Sequence, residues 1–377
     1  MNIETFPLSF QTRNLVRFCR HAANETTDDS FRANFAFRDL GSCFSILKSD
    51  RTASGPDECF CHHQLDSRLL FDKLLGMEIE FPGLPSRQVA VRQIYNSMNY
   101  YRSHIEETFC FNGIRPLPPL EGQCIMAWAN ADELTVLYSL QATSVAPVPV
   151  RLRWVSAPAA ARPSRKRIVR SGFVFSARQR VITAHEAAVA VRASDPAIAF
   201  RFAGGRFESR WIRRVVSPGQ PLELAFSIRF AVNVDPRPAG VTARRARRAI
   251  SGAVTRTERA YAGLPSLPPR FQRFHPLVLK AAGTLQTLQF VDRDDAGRRR
   301  LTVHAGKCGV SSTWFWDSAF SLGALGVAGH APAAFGAAAA LLDGVGPRGE
   351  PPVKFRGGKY EMAYQQPILA WGLGLLL

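Results

Sequence analysis

A helix pattern that begins near Trp316 and a second over 331–344 lack a polar face. In the first stretch Phe315, Ala319 and Leu322 recur on one side, and Phe320, Ala324 and Val327 on another. In the second, "APAAFGAAAALLDG" is closed by Gly344, a residue suited to ending a helix. A helix that is apolar around its circumference is predicted to be buried on all sides. The only charge in the first stretch is Asp317, between Trp314, Phe315 and Trp316 on one side and Phe320 and Leu322 on the other. Burying an unpaired carboxylate is expensive, so this group needs either partners or a task.

The chain upstream reads differently. "QCIMAWANADELTVLYSLQA" (123–142) is two apolar runs around Asn-Ala-Asp, the pattern of a hairpin. "VPVRLRWVS" (148–156) alternates Val148, Val150, Leu152 and Trp154 against Pro149, Arg151 and Arg153, which predicts a half-buried strand. Short apolar segments at 187–194 and 197–205 flank a turn at Asp195-Pro196, and 211–232 reads as two strands around Ser-Pro-Gly-Gln-Pro. Segments 32–47 and 70–82 have strand character, and 86–107 is expected to be partly helical. Many short strands with frequent turns predict a β-sandwich over 1–235. Residues 236–269 then form a linker, with an Arg-rich helix at 241–262 followed by Pro265, Pro268 and Pro269. From 270 to 377 the chain turns helical, with a helix over 275–290 that starts at Pro276, a charged loop at 291–300 and a polar loop before "PILAWGLGLLL". The fold class expected is therefore multidomain β + α.

Of 377 residues, 48 are Lys or Arg and 30 are Asp or Glu, a net charge of +18. The arginines cluster at 162–170, 244–248 and 298–300, in unlike contexts and without interleaved aromatic residues. They read as solvated faces rather than as a nucleic-acid surface; steep salt dependence of DNA binding would be the mark of the latter. No window reaches the roughly 20 apolar residues of a membrane span. The 7 cysteines are an odd number, which favours a reducing, cytoplasmic setting. Cys59 and Cys61, followed by His62 and His63, come nearest to a metal cluster but lack a second ligand pair.

"TWFWDSAFSLGAL" (313–325) resembles the W-x-W-D-[ST]-x-F signature of glycoside hydrolase family 63 and its relatives, which include mannosylglycerate hydrolases and bacterial α-glucosidases. "YQQPILAW" (364–371) is similar to that family's Q-P-P-[ILV]-[LA]-A-W segment, with Gln366 in place of the first proline. The resemblance implies a β-sandwich, a linker helix and then the first helices of an (α/α)₆ barrel. It implies hydrolysis of α-glucosides or α-mannosides by inversion, with an oligosaccharide or glycoside as substrate and no metal or organic cofactor. The family's general acid and base lie on later helices. Both are therefore expected beyond residue 377, in a longer gene product, and this chain alone is expected to hydrolyse negligibly.

The resemblance gives Asp317 a role in gripping a sugar rather than in proton transfer. Trp314 and Trp316 would wall the pocket, with Phe320 packed behind them. Gln365 or Gln366, depending on register, would bond another hydroxyl. Lys354, Arg356 and Tyr360 fall in the loop that approaches the pocket mouth in such barrels. Beside this stands a plainer reading, in which Asp317 caps its own helix and the tryptophans are core. A carbohydrate-binding protein without catalysis is the alternative function.

Overall fold

The structure is a computed structural model. It describes residues 35–37, 44–48, 56, 58–63, 66–82, 89–93, 99–100, 104–111, 120–159, 163–180, 184–275, 278, 281–282, 285, 289–293, 299–303, 313–350, 352–356, 359–362 and 368–376. Most of these residues lie in antiparallel sheets.

One sheet runs β1 (Phe35–Phe37), β2 (Phe44–Lys48), β3 (Glu58–His63), β4 (Asp66–Glu80) and β10 (Val148–Pro158). The far edge of β10 carries β15 (Arg206–Ser209) and β16 (Ile212–Val216), and β14 (Phe200–Ala203) pairs with β15. The second sheet runs β11 (Pro163–Val169), β12 (Gly172–Arg180), β13 (Ala184–Ala193), β17 (Leu222–Val232), β9 (Glu133–Ala142), β8 (Leu120–Asn130) and β7 (His104–Phe111). β5 (Val89–Gln93) pairs with β4 and with β7 and so joins the two sheets, while β6 (Asn99–Tyr100) pairs with β7. The described parts of 86–107 are thus strands, not helix: the partners offered by β4 and β7 override local propensity.

The sheets face each other across one aromatic core. Phe71, Trp154 and Phe207 of the first sheet meet Phe175, Phe226 and Phe173 of the second. Phe173 and Phe207 stack at 4.0 Å between ring centroids, and Trp154 and Phe226 lie 5.1 Å apart. In β10 Val148, Val150, Leu152 and Trp154 point into this core and Pro149 is exposed, the alternation predicted from sequence. β8 does not alternate: residues 124–128 are buried on both faces. The reason is α1 (Ala243–Ala262), whose Ala246, Ile250 and Ala253 cover Ile125, Ala127, Leu137 and Ala225 on the outer face of the second sheet.

Arginines hold α1 in place. Buried Glu133 accepts from the Ser227 hydroxyl at 2.9 Å and from Arg229 at 3.2 Å, and Arg245 of α1 reaches it at 3.4 Å. Arg247 pairs with Glu223, and Arg256 donates to the Trp128 carbonyl at 2.6 Å. Arg165 pairs with Asp235 at 3.1 Å. Several arginines of the two larger clusters therefore serve the fold itself.

Beyond a 3₁₀ turn at Pro269–Phe274, described residues 275, 278, 281, 282 and 285 are helical. The segment expected as a charged loop is instead the hairpin β18 (Gln289–Arg293) and β19 (Arg299–Val303). β20 (Thr313–Trp314) leads directly into α2 (Phe315–Val327), which is followed by α3 (Ala331–Asp343). The polar segment after α3 is likewise a hairpin, β21 (Pro352–Arg356) and β22 (Lys359–Met362), and α4 (Ile368–Leu376) ends the described chain. Phe315, Ala319, Leu322, Ala334, Ala338, Leu341, Leu369 and Val303 form one core here. The expectation that α2 is buried on all sides is corrected. Its Phe315–Ala319–Leu322 face is buried, whereas Phe320, Ala324 and Val327 are exposed.

Candidate functional site

Asp317 is the third residue of α2 and is exposed. Among the described residues no donor lies within bonding distance of its carboxylate; its backbone carbonyl accepts from the Ser321 hydroxyl at 2.9 Å. Among the described residues the group is thus neither a side-chain cap nor half of an ion pair. Its place in the first helical turn puts it near free N–H groups and the positive end of the helix dipole, an interaction worth about 0.3–1 kcal/mol when exposed. Its carboxylate belongs to an exposed residue at the start of the helix.

The helix start is fixed from below. Ser318 is completely buried, and its hydroxyl donates to the Val303 carbonyl at 2.5 Å, which ties α2 to β19. From the other side β20 pairs with β21, setting Thr313 opposite Phe355 and Trp314 opposite Lys354. The β21–β22 hairpin therefore stands against the entry to α2, and Lys354 and Arg356 are on the strand that pairs with it.

An aromatic row runs beside Asp317. Trp316 and Phe320 are one helical turn apart on α2, with ring centroids separated by 5.6 Å. Phe320 then meets Trp371 of α4 edge-to-face at 5.1 Å. All three are half-exposed, at 37%, 42% and 49%. The expectation that Phe320 packs behind the tryptophans is corrected: it is the middle member of the row. Trp371, within the quoted YQQPILAW segment but given no role there, is its third.

Glycines set the α2–α4 spacing. A Cβ at Gly372 would overlap the Ala319 carbonyl, and one at Gly323 would come within 2.6 Å of the Leu375 Cβ. At Gly372 the two helices touch backbone to backbone, at Gly323 the backbone of α2 meets the Leu375 side chain, and Trp371, one residue before Gly372, is thereby carried to Phe320. Of the other residues singled out from sequence, Gln365 and Gln366 lie outside the described residues, as does His304. Cys59 is buried in the sandwich core. Among the described residues no group of three metal-ligating side chains comes together, and no helix is long and apolar enough to cross a membrane.

No family model and no curated protein matches the sequence. Solved structures do match the fold. A bacterial glucoamylase complexed with acarbose superimposes on 88% of this chain and 53% of its own, with a TM-score of 0.54 and 8% identity. A protein assigned as a kojibiose phosphorylase from the human microbiome covers 91% of this chain and 53% of its own, with a TM-score of 0.47 and 8% identity. A GH92 family glycosyl hydrolase covers 76% and 44%, with a TM-score of 0.43 and 9% identity. The chain spans about half the length of these structures. The glucoamylase likeness is one of fold.

Proposed function

We propose that the chain is the sugar-binding part of a glycoside-hydrolase-like protein acting on α-glucosides or α-mannosides. The carrying observation is Asp317, exposed and bonded through its side chain to no described residue, beside half-exposed Trp316 and Phe320. A pyranose offers hydroxyl donors at its edge and C–H groups on its faces. A carboxylate takes the first by charge-assisted hydrogen bonds, and indole and phenyl faces take the second. Trp314 and either Gln365 or Gln366 complete the proposed contacts. In this reading 1–235 is the sandwich, 236–269 the linker and 270–377 the first part of an (α/α)₆ barrel.

The reaction proposed is inverting hydrolysis. It needs two carboxyl groups roughly 6.5–9.5 Å apart, one protonating the leaving oxygen and one activating water. Neither role is assigned to a residue of this chain: Asp317 binds, and no proton passes through it. A cytoplasmic location, resting on the odd cysteine count, belongs to the same proposal.

Isothermal titration calorimetry of the 377-residue chain with acarbose, maltose and α-mannobiose tests the reading. Saturable binding of at least one sugar, weakened tenfold or more by Asp317→Ala, is expected. Absence of binding at millimolar sugar, or equal affinity in the variant, overturns it.

A further inference from the structure

Shortly after α1 comes the sequence LPSLPPRFQRF (264–274), with three prolines, two arginines and no acidic residue. Each proline ring fixes its own φ and pushes the residue before it toward extended backbone. Leu264, Pro265, Leu267 and Pro268 are all restrained in this way, and Pro268 stands at φ −51° and ψ 147°, close to polyproline II. That helix has three residues per turn and no internal hydrogen bonds. Exposure repeats with the same period. Leu264 and Leu267 are half-buried, whereas Pro265 and Pro268, and likewise Ser266 and Pro269, are exposed. One edge of this arm therefore faces the protein and two face solvent.

The arm runs into the 3₁₀ turn Pro269–Phe274, an element with no buried residue. There the Arg270 guanidinium lies 4.7 Å from the centre of the Phe271 ring, and Gln272 donates from its side chain to the Leu267 carbonyl at 2.7 Å. The turn is thus fastened to the arm, with an exposed cation where the prolines end. Three prolines without an N–H disfavour pairing with the edge of a sheet. We infer that residues 264–270 are a recognition arm for a partner protein with an aromatic-lined groove and an acidic patch at one end, the chemistry of an SH3-type module. Pro265 and Pro268 lie on the aromatic rings of the groove, and Arg270 meets its carboxylates. Because the arm is already extended, little conformational entropy is lost when it docks. This interaction goes beyond sugar binding and uses neither Asp317 nor the rings beside it.

The test is calorimetric titration of the intact chain with a recombinant SH3 domain that selects Pro-x-x-Pro-x-Arg ligands. Saturable one-to-one binding is expected. The Pro265→Ala, Pro268→Ala double variant and Arg270→Ala should each weaken it tenfold or more, while Arg273→Ala should leave it within twofold. Circular dichroism melts identify any loss of fold. Arg270→Ala, at an exposed side chain, carries the test if the proline variant unfolds. Absence of saturable binding overturns the inference, as does full affinity in a folded proline variant. If Arg270→Ala and Arg273→Ala weaken binding equally and the proline variant does not, the attraction is one of charge alone and the inference fails. It fails too if the variants change the sedimentation of the chain by itself and not its affinity for the SH3 domain, because the arm is then a contact between copies.

Discussion

The sandwich and the helical region use aromatic residues in opposite ways. In the sandwich Trp128, Tyr138, Trp154 and Phe226 are completely buried, and the last three lie within 6.2 Å of one another. Around α2 and α4 the rings stand half in solvent while small residues, Ala319 and Gly372, make the contact. Large rings filling a core are held by what they exclude. Rings presented over a floor of small residues are held by their backbone and leave a face free. The difference teaches that aromatic content alone does not locate a site; the size of the neighbours decides which way a ring is used.

That contrast is breakable. The largest effect should come from Trp154→Ala, which opens a cavity in the closed core and should lower unfolding free energy by about 3–5 kcal/mol in urea titrations. Trp371→Ala, removing a ring of similar size from the row beside Asp317, should cost much less in the same measurement; equal losses would mean that the two regions do not differ as described.

Next comes Gly372→Ala. The added methyl overlaps the Ala319 carbonyl, so α4 must shift, at a cost of about 1–3 kcal/mol by the usual penalty for overpacking. A melt unchanged from the parent would show that the helix crossing is looser than described.

Glu133→Ala probes the docking of α1 on the second sheet. It leaves the buried Ser227 hydroxyl without its acceptor and frees Arg229 and Arg245, with an expected loss of about 1–3 kcal/mol. The loss should be accompanied by faster hydrogen exchange in α1. If only global stability falls and α1 stays protected, the packing of Ala246 and Ile250 fastens the helix without help from the ion pairs.

The smallest stability effect belongs to Asp317→Asn. The side chain is exposed and bonds to no described residue, so only its interaction with the helix terminus is lost, about 0.3–1 kcal/mol. A much larger loss in the melt would reveal a structural role for this carboxylate.

Much of this was legible in the sequence where one physical signal dominated. The alternation from Val148 to Trp154 named both the strand and its buried face, and helix α1 followed from its proline and glycine borders. The hairpin of β18 and β19 was hidden by its charges. Asp292 faces Arg300 and Arg293 faces Arg299 in register, so a segment that looked like a solvated loop is a paired ribbon. β21 and β22 did carry a cue, Gly357-Gly358 between Arg356 and Lys359, the kind of pair that closes a tight hairpin. The pairing of β20 with β21 is long-range and has no local signature.

The candidate site divides the same way. Asp317 and Trp316 stood out because a charge in an aromatic run needs explaining. Trp371 did not, because "PILAWGLGLLL" is apolar throughout and its periodicity does not say which side meets α2. That side is chosen by Gly372 against Ala319, a contact between two segments some 50 residues apart in sequence, and no local pattern predicts it. The exposed Phe320 side of α2 was misread for a related reason: hydrophobicity around a helix predicts burial, whereas these side chains are apolar and exposed at once.

The central claim is that the carboxylate of Asp317 and the rings beside it contact a sugar directly. Saturation-transfer difference NMR on the 377-residue chain with maltotriose or α-mannobiose tests this most directly, by selective irradiation of the aromatic protons. Transfer to the ring C–H protons of at least one of the two sugars, strong in the parent chain and lost in the Asp317→Ala, Trp316→Ala double variant, is the predicted result. No transfer to either sugar from the parent, or transfer undiminished in a folded double variant, would contradict it.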